Sequence, residues 1–204
     1  MPKPIGILSY GCGNIRSVKN AVEYCGFDTI EVSDANSLSQ FDKLILPGVG
    51  AFDTAISLLE KNGFRKGLLE WLEDDANKLL GICVGMQLLC SRSEESIEGI
   101  AGLNLIPANI AKLTSSTETR LPNIGWSEVA FTRDDFAHHN GDYYFVHSYG
   151  AFCDNEADSL AYSYYGDIRF SCAISNGKNI FGYQFHLEKS HKKGLALLQD
   201  FCVL

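Results

Sequence analysis

The chain has 204 residues, 46% of them hydrophobic and 21% charged, with a formal net charge of −8. That length suits one domain with a sizeable core, and the acidic balance argues against non-specific nucleic-acid binding. No apolar run reaches transmembrane length, and the opening Met1-Pro2-Lys3-Pro4 lacks the apolar stretch of a signal peptide.

Apolar runs and glycine breaks set the elements in order. A short buried strand is predicted over 5–9, followed by the glycine-rich turn Tyr10-Gly11-Cys12-Gly13-Asn14. Ile15, Val18, Val22 and Cys25 recur at helical spacing, so a helix is predicted over 15–25 and ends at Gly26. Strands follow over 29–32 and 43–46. Pro47-Gly48-Val49-Gly50 breaks the chain before helices over 51–59 and 64–72, and a fourth strand runs through Leu79 and Leu80 into Cys83. This alternation predicts an α/β fold with a mostly parallel central sheet flanked by helices. From residue 105 the pattern changes. Strands are expected over 105–112, 143–147, 159–164, 170–174 and 180–184, a mixed or antiparallel extension, and a helix over 189–203. No linker, repeat or low-complexity tract interrupts the chain, so one continuous domain over 1–204 is expected.

Seven cysteines, Cys12, Cys25, Cys83, Cys90, Cys153, Cys172 and Cys202, contain no Cys-x-x-Cys pair. That disfavours a disulfide framework and a zinc site, and suits a reducing, cytoplasmic setting. The glycine turns match neither G-x-G-x-x-G nor a P-loop, so neither a nucleotide cofactor nor a metal is expected.

Cys83 stands apart. Gly81-Ile82-Cys83-Val84-Gly85 is the cysteine form of a nucleophile elbow, a strand, a tight turn and a helix with the thiol at the apex. Flanking glycines permit the turn, and a following helix would present N–H groups that favour a thiolate. A buried strand-end cysteine fits the same pentapeptide. The turns at Gly11-Asn14 and Gly48-Gly50 also follow strands, so all three could share one crevice at the strands' carboxyl ends.

A cysteine nucleophile needs a base. His138-His139 sits beside Asn140-Gly141 in a polar turn and reads as solvated loop; His191, beside Lys192-Lys193, reads as exposed. His186 follows a strand, and Glu188 lies two residues on; in extended chain both face one side, so the carboxylate can orient the imidazole. A structural strand-end histidine fits too. His147 is the second candidate base, with Asp154 as its less well placed carboxylate. Two backbone N–H groups, from Val84 and from the Gly48-Val49-Gly50 turn, would suit an oxyanion.

At this point the motifs resemble a family. Gly81-Ile-Cys-Val-Gly-Met-Gln-Leu-Leu89, Leu46-Pro-Gly-Val-Gly-Ala-Phe52 and Phe185-His-Leu-Glu-Lys-Ser190 resemble the class I, or triad, glutamine amidotransferases, of flavodoxin-like architecture. Tyr10-Gly-Cys-Gly-Asn-Ile-Arg-Ser-Val18, Ile124-Gly-Trp126 and Tyr144-Phe-Val-His-Ser-Tyr149 narrow the resemblance to the glutaminase subunits of imidazole glycerol phosphate synthase. The resemblance covers nearly the whole chain. It implies a Cys83-His186-Glu188 triad that hydrolyses L-glutamine through a thioester, with Gly50 and Val84 at the oxyanion. It implies glutamine binding by Gln87, Glu95, His147, Ser148 and Tyr149, which makes His147 part of the site wall. It also implies a (β/α)8-barrel cyclase partner that receives the ammonia in a heterodimer, with Asn14, Arg16, Trp126, Tyr144 and Lys189 toward the interface.

Three positions depart from the family pattern. Leu187 replaces the proline after the catalytic histidine, a residue that would stiffen the turn. Asn123 replaces a histidine, and Ser127 stands where asparagine is common. The last two leave open a paralogue that supplies ammonia to sugar amidination in surface-polysaccharide synthesis. A different thiol enzyme on the same fold, or a non-catalytic scaffold, are the readings of other classes.

Overall fold

The computed structural model describes residues 3–114 and 120–204. The first half alternates as its apolar runs dictate: β1 (Ile5–Leu8), α1 (Ile15–Tyr24), β2 (Thr29–Val32), β3 (Lys43–Gly48), α2 (Phe52–Lys61), α3 (Phe64–Trp71), β4 (Lys78–Cys83) and the short α4 (Val84–Leu89). β1, β3 and β4 are buried almost throughout, which is why they read as continuous apolar runs rather than alternating ones. Leu44, Ile45 and Leu46 of β3 have no exposed surface, and each such side chain contributes about 1.5–3 kcal/mol relative to an exposed one.

The second half supplies β5 (Arg92–Ser93), β6 (Ala108–Lys112), β7 (Asn123–Phe131), β8 (Gly141–His147), β9 (Tyr149–Cys153), β10 (Ser159–Tyr165), β11 (Ile168–Ser175), β12 (Ile180–Tyr183) and α5 (His191–Val203). The main path of the sheet runs β2-β1-β3-β4-β12-β11-β10-β7-β8. β2 through β12 along this path are parallel, and the pairings from β12 to β8 are antiparallel. The expected parallel sheet with an antiparallel extension is therefore present. β5, β7 and β9 are additions that the sequence pattern does not predict.

Two registers place the chemistry. Gly48 of β3 lies opposite Cys83, and Tyr183 of β12 lies opposite Ile82. The segment leaving β12, Gln184-Phe185-His186, thus emerges beside the cysteine at the carboxyl edge of the parallel strands, where doubly wound sheets form their sites. Among the described residues no helix is long and apolar enough to cross a membrane.

Candidate active site

Cys83 holds φ 55° and ψ −114°, a conformation an L-residue with a side chain rarely adopts. Close approach of the backbone around it demands glycine. A Cβ on Gly85 would fall 1.9 Å from the Leu46 carbonyl oxygen, and one on Gly48 would fall 2.5 Å from the Gly85 nitrogen. The first turn of α4 therefore packs directly on β3, and the strained apex carries the thiol. Cys83 is 4% exposed.

His186 Nδ1 donates to Glu188 Oε1 at 2.9 Å, with both side chains at most 5% exposed. In place of the expected extended chain, a 3-10 turn over Leu187–Lys189 brings the carboxylate back to the ring nitrogen. The cause is local. His186 N–H donates to Tyr144 O, Tyr144 N–H donates to Ser190 Oγ, and that hydroxyl donates to His186 O at 2.6 Å. These bonds stitch the turn to β8. Burial works against a charged His186, but its hydrogen bonds with Cys83 and Glu188 outweigh it and push the imidazole up to about 9.

A second loop approaches from β3. Tyr10 Oη donates to Pro47 O at 2.8 Å and the Cys12 thiol donates to Val49 O at 2.7 Å. Gly50 follows at φ +94°, so the peptides of this loop are set by glycine geometry and by the β1–α1 loop beside them. Glu95 Oε2 accepts from Phe52 N–H at 3.0 Å; burial and, more weakly, Asp53 raise this carboxyl against that bond.

These groups surround a cavity of about 330 Å³. Cys83, His186, Gly50, Val84, Gln87, Glu95, His147, Ser148, Tyr149 and Lys189 line it, with Glu188 behind His186. A cleft of this size with one cysteine, one imidazole and a half-buried carboxyl can hold a small amino acid and perform acyl transfer. His147 does not meet Asp154. Its Nδ1 donates to Tyr149 O at 2.8 Å and its Nε2 faces Asn123 Nδ2 at 3.1 Å. Burial, reinforced by the charge of His186 and opposed by the Tyr149 bond, pushes it down to about 4, so it is a neutral wall group.

Trp126, which does not line the cavity, packs edge-on against Tyr144 at 5.9 Å, and Lys189, which does, carries its Nζ 5.8 Å from the Tyr144 ring centre. His191 is exposed as expected, yet it stacks on Trp126 at 5.0 Å, a member of this face that its sequence context did not mark. Asn14 precedes α1 without a side-chain cap bond, and Arg16 is exposed on its first turn. His139 is not solvated loop: it is 3% exposed, packs near Phe131 and Phe136, and bonds Asp200 Oδ2 through Nε2 at 2.7 Å. His138, His139 and Asp200 bring ligand-type atoms within 4.8 Å of one another, and none of them lines the Cys83 cavity. Gln184, fully buried against the sulfur, went unmarked because it reads as one more strand residue.

The SNO glutamine amidotransferase family matches residues 10–116. An imidazole glycerol phosphate synthase subunit HisH from Chlorobaculum tepidum is 38% identical over 199 residues, covering 96% of this chain and 97% of its own. The chain belongs to the HisH family of glutamine amidotransferases. A HisH subunit from Bacillus cereus is 43% identical over 202 residues, covering 97% of this chain and 93% of its own. A crystal structure of a glutamine amidotransferase, 20% identical, superposes with a TM-score of 0.77 over 98% of this chain and 99% of that one, which shows the fold. The elbow of this HisH-family chain lies inside the matched stretch, and its His186-Glu188 turn lies beyond it.

Proposed function

We propose that this chain is the glutaminase subunit of an imidazole glycerol phosphate synthase, hydrolysing L-glutamine to glutamate and ammonia for histidine biosynthesis. The observation that carries the reading is the strained Cys83 apex facing a His186-Glu188 pair across one cavity. Similarity to HisH subunits along nearly the full chain supports the histidine pathway over the sugar-amidinating paralogue.

The chemistry follows from the groups. Cys83 and His186 share one proton, held on the imidazole, and the thiolate attacks the side-chain carboxamide carbon of glutamine. The oxyanion is taken by backbone N–H groups of Val84 and the Gly50 loop. His186, held as imidazolium by Cys83 and Glu188, returns the proton to the amine as the C–N bond breaks and ammonia leaves. Water then gives a proton to His186 and attacks the thioester, releasing glutamate and restoring the thiolate–imidazolium pair. Gln87, Glu95 and the 147–149 segment hold the substrate, with the Glu95 carboxylate facing its ammonium.

The partner is a (β/α)8-barrel cyclase that takes the ammonia, docked on the face of Trp126, Tyr144 and Lys189 with Asn14 and Arg16. The exposed Ile124 and Trp126, 61% and 46% accessible at one end of β7, support that face. Seven free thiols suit the cytoplasm. The test is glutamate release from glutamine with and without the barrel subunit and its ligand. Activity that appears with the partner and vanishes in Cys83→Ala is the expected result; activity retained in Cys83→Ala sinks the reading.

A further inference from the structure

Behind the sulfur, buried amides form a continuous hydrogen-bonded chain whose polarity is fixed at one point. The Tyr149 carbonyl can only accept. Gln87 Nε2 faces it at 3.3 Å and His147 Nδ1 at 2.8 Å, so both are donors there. Gln87 Nε2 also donates to Gln184 Oε1 at 2.9 Å. With its oxygen so occupied, Gln184 must turn its amide nitrogen the other way, and that nitrogen lies 3.8 Å from Cys83 Sγ. At the far end His147 Nε2 is left with a lone pair, which Asn123 Nδ2 fills at 3.1 Å. Gln184 is 0% exposed, Gln87 3%, His147 6% and Asn123 8%, so the chain is sealed and reversing any amide would leave a buried mismatch.

We infer that Gln184 is a catalytic residue whose amide N–H donates to the Cys83 sulfur and favours its thiolate, with Gln87 and His147 as the positioning residues that aim it. An N–H donor bonds a thiolate more strongly than a neutral thiol, so the contact acts on the charged nucleophile. The bond supplements that of His186 and comes from Gln184, the residue after β12, rather than from the turn that follows. Asn123, where the family pattern has histidine, becomes intelligible: a donor amide satisfies a neutral His147 and keeps a second imidazolium away from His186.

The inference rests on the reading of Cys83 as the nucleophile, and the experiment separates the two. In the full chain, alkylation of Cys83 by iodoacetamide is followed peptide by peptide in neutral and in alkaline buffer, for wild type, Gln184→Met and Gln184→Glu. Methionine keeps the length and removes the donor; glutamate keeps the shape and presents oxygen to the sulfur. The neutral-buffer rate, taken relative to the alkaline rate, is expected to fall about tenfold in Gln184→Met and further in Gln184→Glu. A folded Gln184→Met with the wild-type ratio overturns the inference. Should Gln184→Met fail to fold, Gln87→Met is used. It releases the Gln184 amide without touching the sulfur, and an unchanged ratio there overturns the inference equally. A wild-type Cys83 that alkylates in neutral buffer no faster than the half-buried Cys12 overturns the nucleophile reading itself.

Discussion

His186 Nδ1 and Glu188 Oε1 meet at 2.9 Å across a single intervening residue, Leu187, which has no exposed surface. Where a proline would fix this turn by its ring, leucine fixes it by burial. Glu188 Oε2 is buried without a partner among the described residues, so the imidazole is the group that compensates this carboxylate. Glu188→Gln keeps the shape but removes the charge that orients and supports the imidazolium. Partner-stimulated glutaminase kcat is expected to fall about 100- to 10,000-fold with KM nearly unchanged, measured as glutamate release. Loss confined to KM would assign Glu188 to substrate binding instead.

The raised His186 makes a signed statement about stability. Below about 6.5 the folded and unfolded chains both hold its proton and the contribution is complete. Between there and about 9 only the folded chain keeps it, so stability falls as pH rises through that window. Cys83→Ala removes the largest of the groups raising this histidine. Its ring, followed by NMR, is expected to titrate at lower pH than in wild type, and the alkaline decline in urea midpoint, starting from the same pH, to level off earlier and be smaller.

His147 has the opposite sign. Its pKa, pushed down to about 4 chiefly by burial, means the unfolded chain binds a proton that the folded chain refuses. Its contribution is intact above about 6.5 and is lost as pH falls toward about 4. His139, buried beside His138 and Lys193, is lowered too and adds to the same acid slope despite its bond to Asp200. His147→Gln is expected to flatten the loss of urea midpoint between neutral pH and that limit; an unchanged slope would show that His147 does not titrate with unfolding.

The parts that could be read from sequence are those whose cause is local. The strands through Leu44–Leu46 and Leu79–Leu80 are buried on both faces, so their apolar runs, ended by glycine, announce them. The elbow at Cys83 and the His186-x-Glu188 spacing are likewise local. β7 inverts the usual code, with Ile124 and Trp126 exposed and polar Asn123 buried, so alternation pointed nowhere. β9 follows β8 with only Ser148 between them, and one residue gives no visible turn. The amide chain depends on the register that sets Asn123 opposite His147 and on β12 inserting beside β4, neither of which any single segment encodes. His139 does not read as buried because the residues that bury it, Phe131 and Phe136, and its acceptor, Asp200, are brought together only by the fold.

Trp126 tests the docking face apart from the chemistry. It is 46% exposed, stacks on His191 and does not line the Cys83 cavity. Trp126→Ala is expected to weaken the barrel subunit's affinity by about 30-fold or more, the range of an aromatic hot spot, measured by calorimetry. Cys83 alkylation in the isolated chain should stay at the wild-type rate. Unchanged affinity would move the interface elsewhere.

The strain at Cys83 can be measured by removing it. At φ 55° and ψ −114° any side chain is held against its preference, and glycine is not. Cys83→Ala deletes the sulfur but keeps the Cβ and with it the strain. Cys83→Gly deletes both, at the expense of a more flexible unfolded chain that offsets about 0.4–1 kcal/mol of the relief. With about 1–3 kcal/mol of strain stored at such a site, Cys83→Gly is expected to be the more stable of the two inactive variants by about 1 kcal/mol, read from urea midpoints at neutral pH. An alanine variant as stable as the glycine one would mean that the elbow relaxes once the sulfur is gone. The conformation would then be held by the Gln184, His186 and Val146 contacts of the thiol and not by the Gly85-Leu46 packing beneath it.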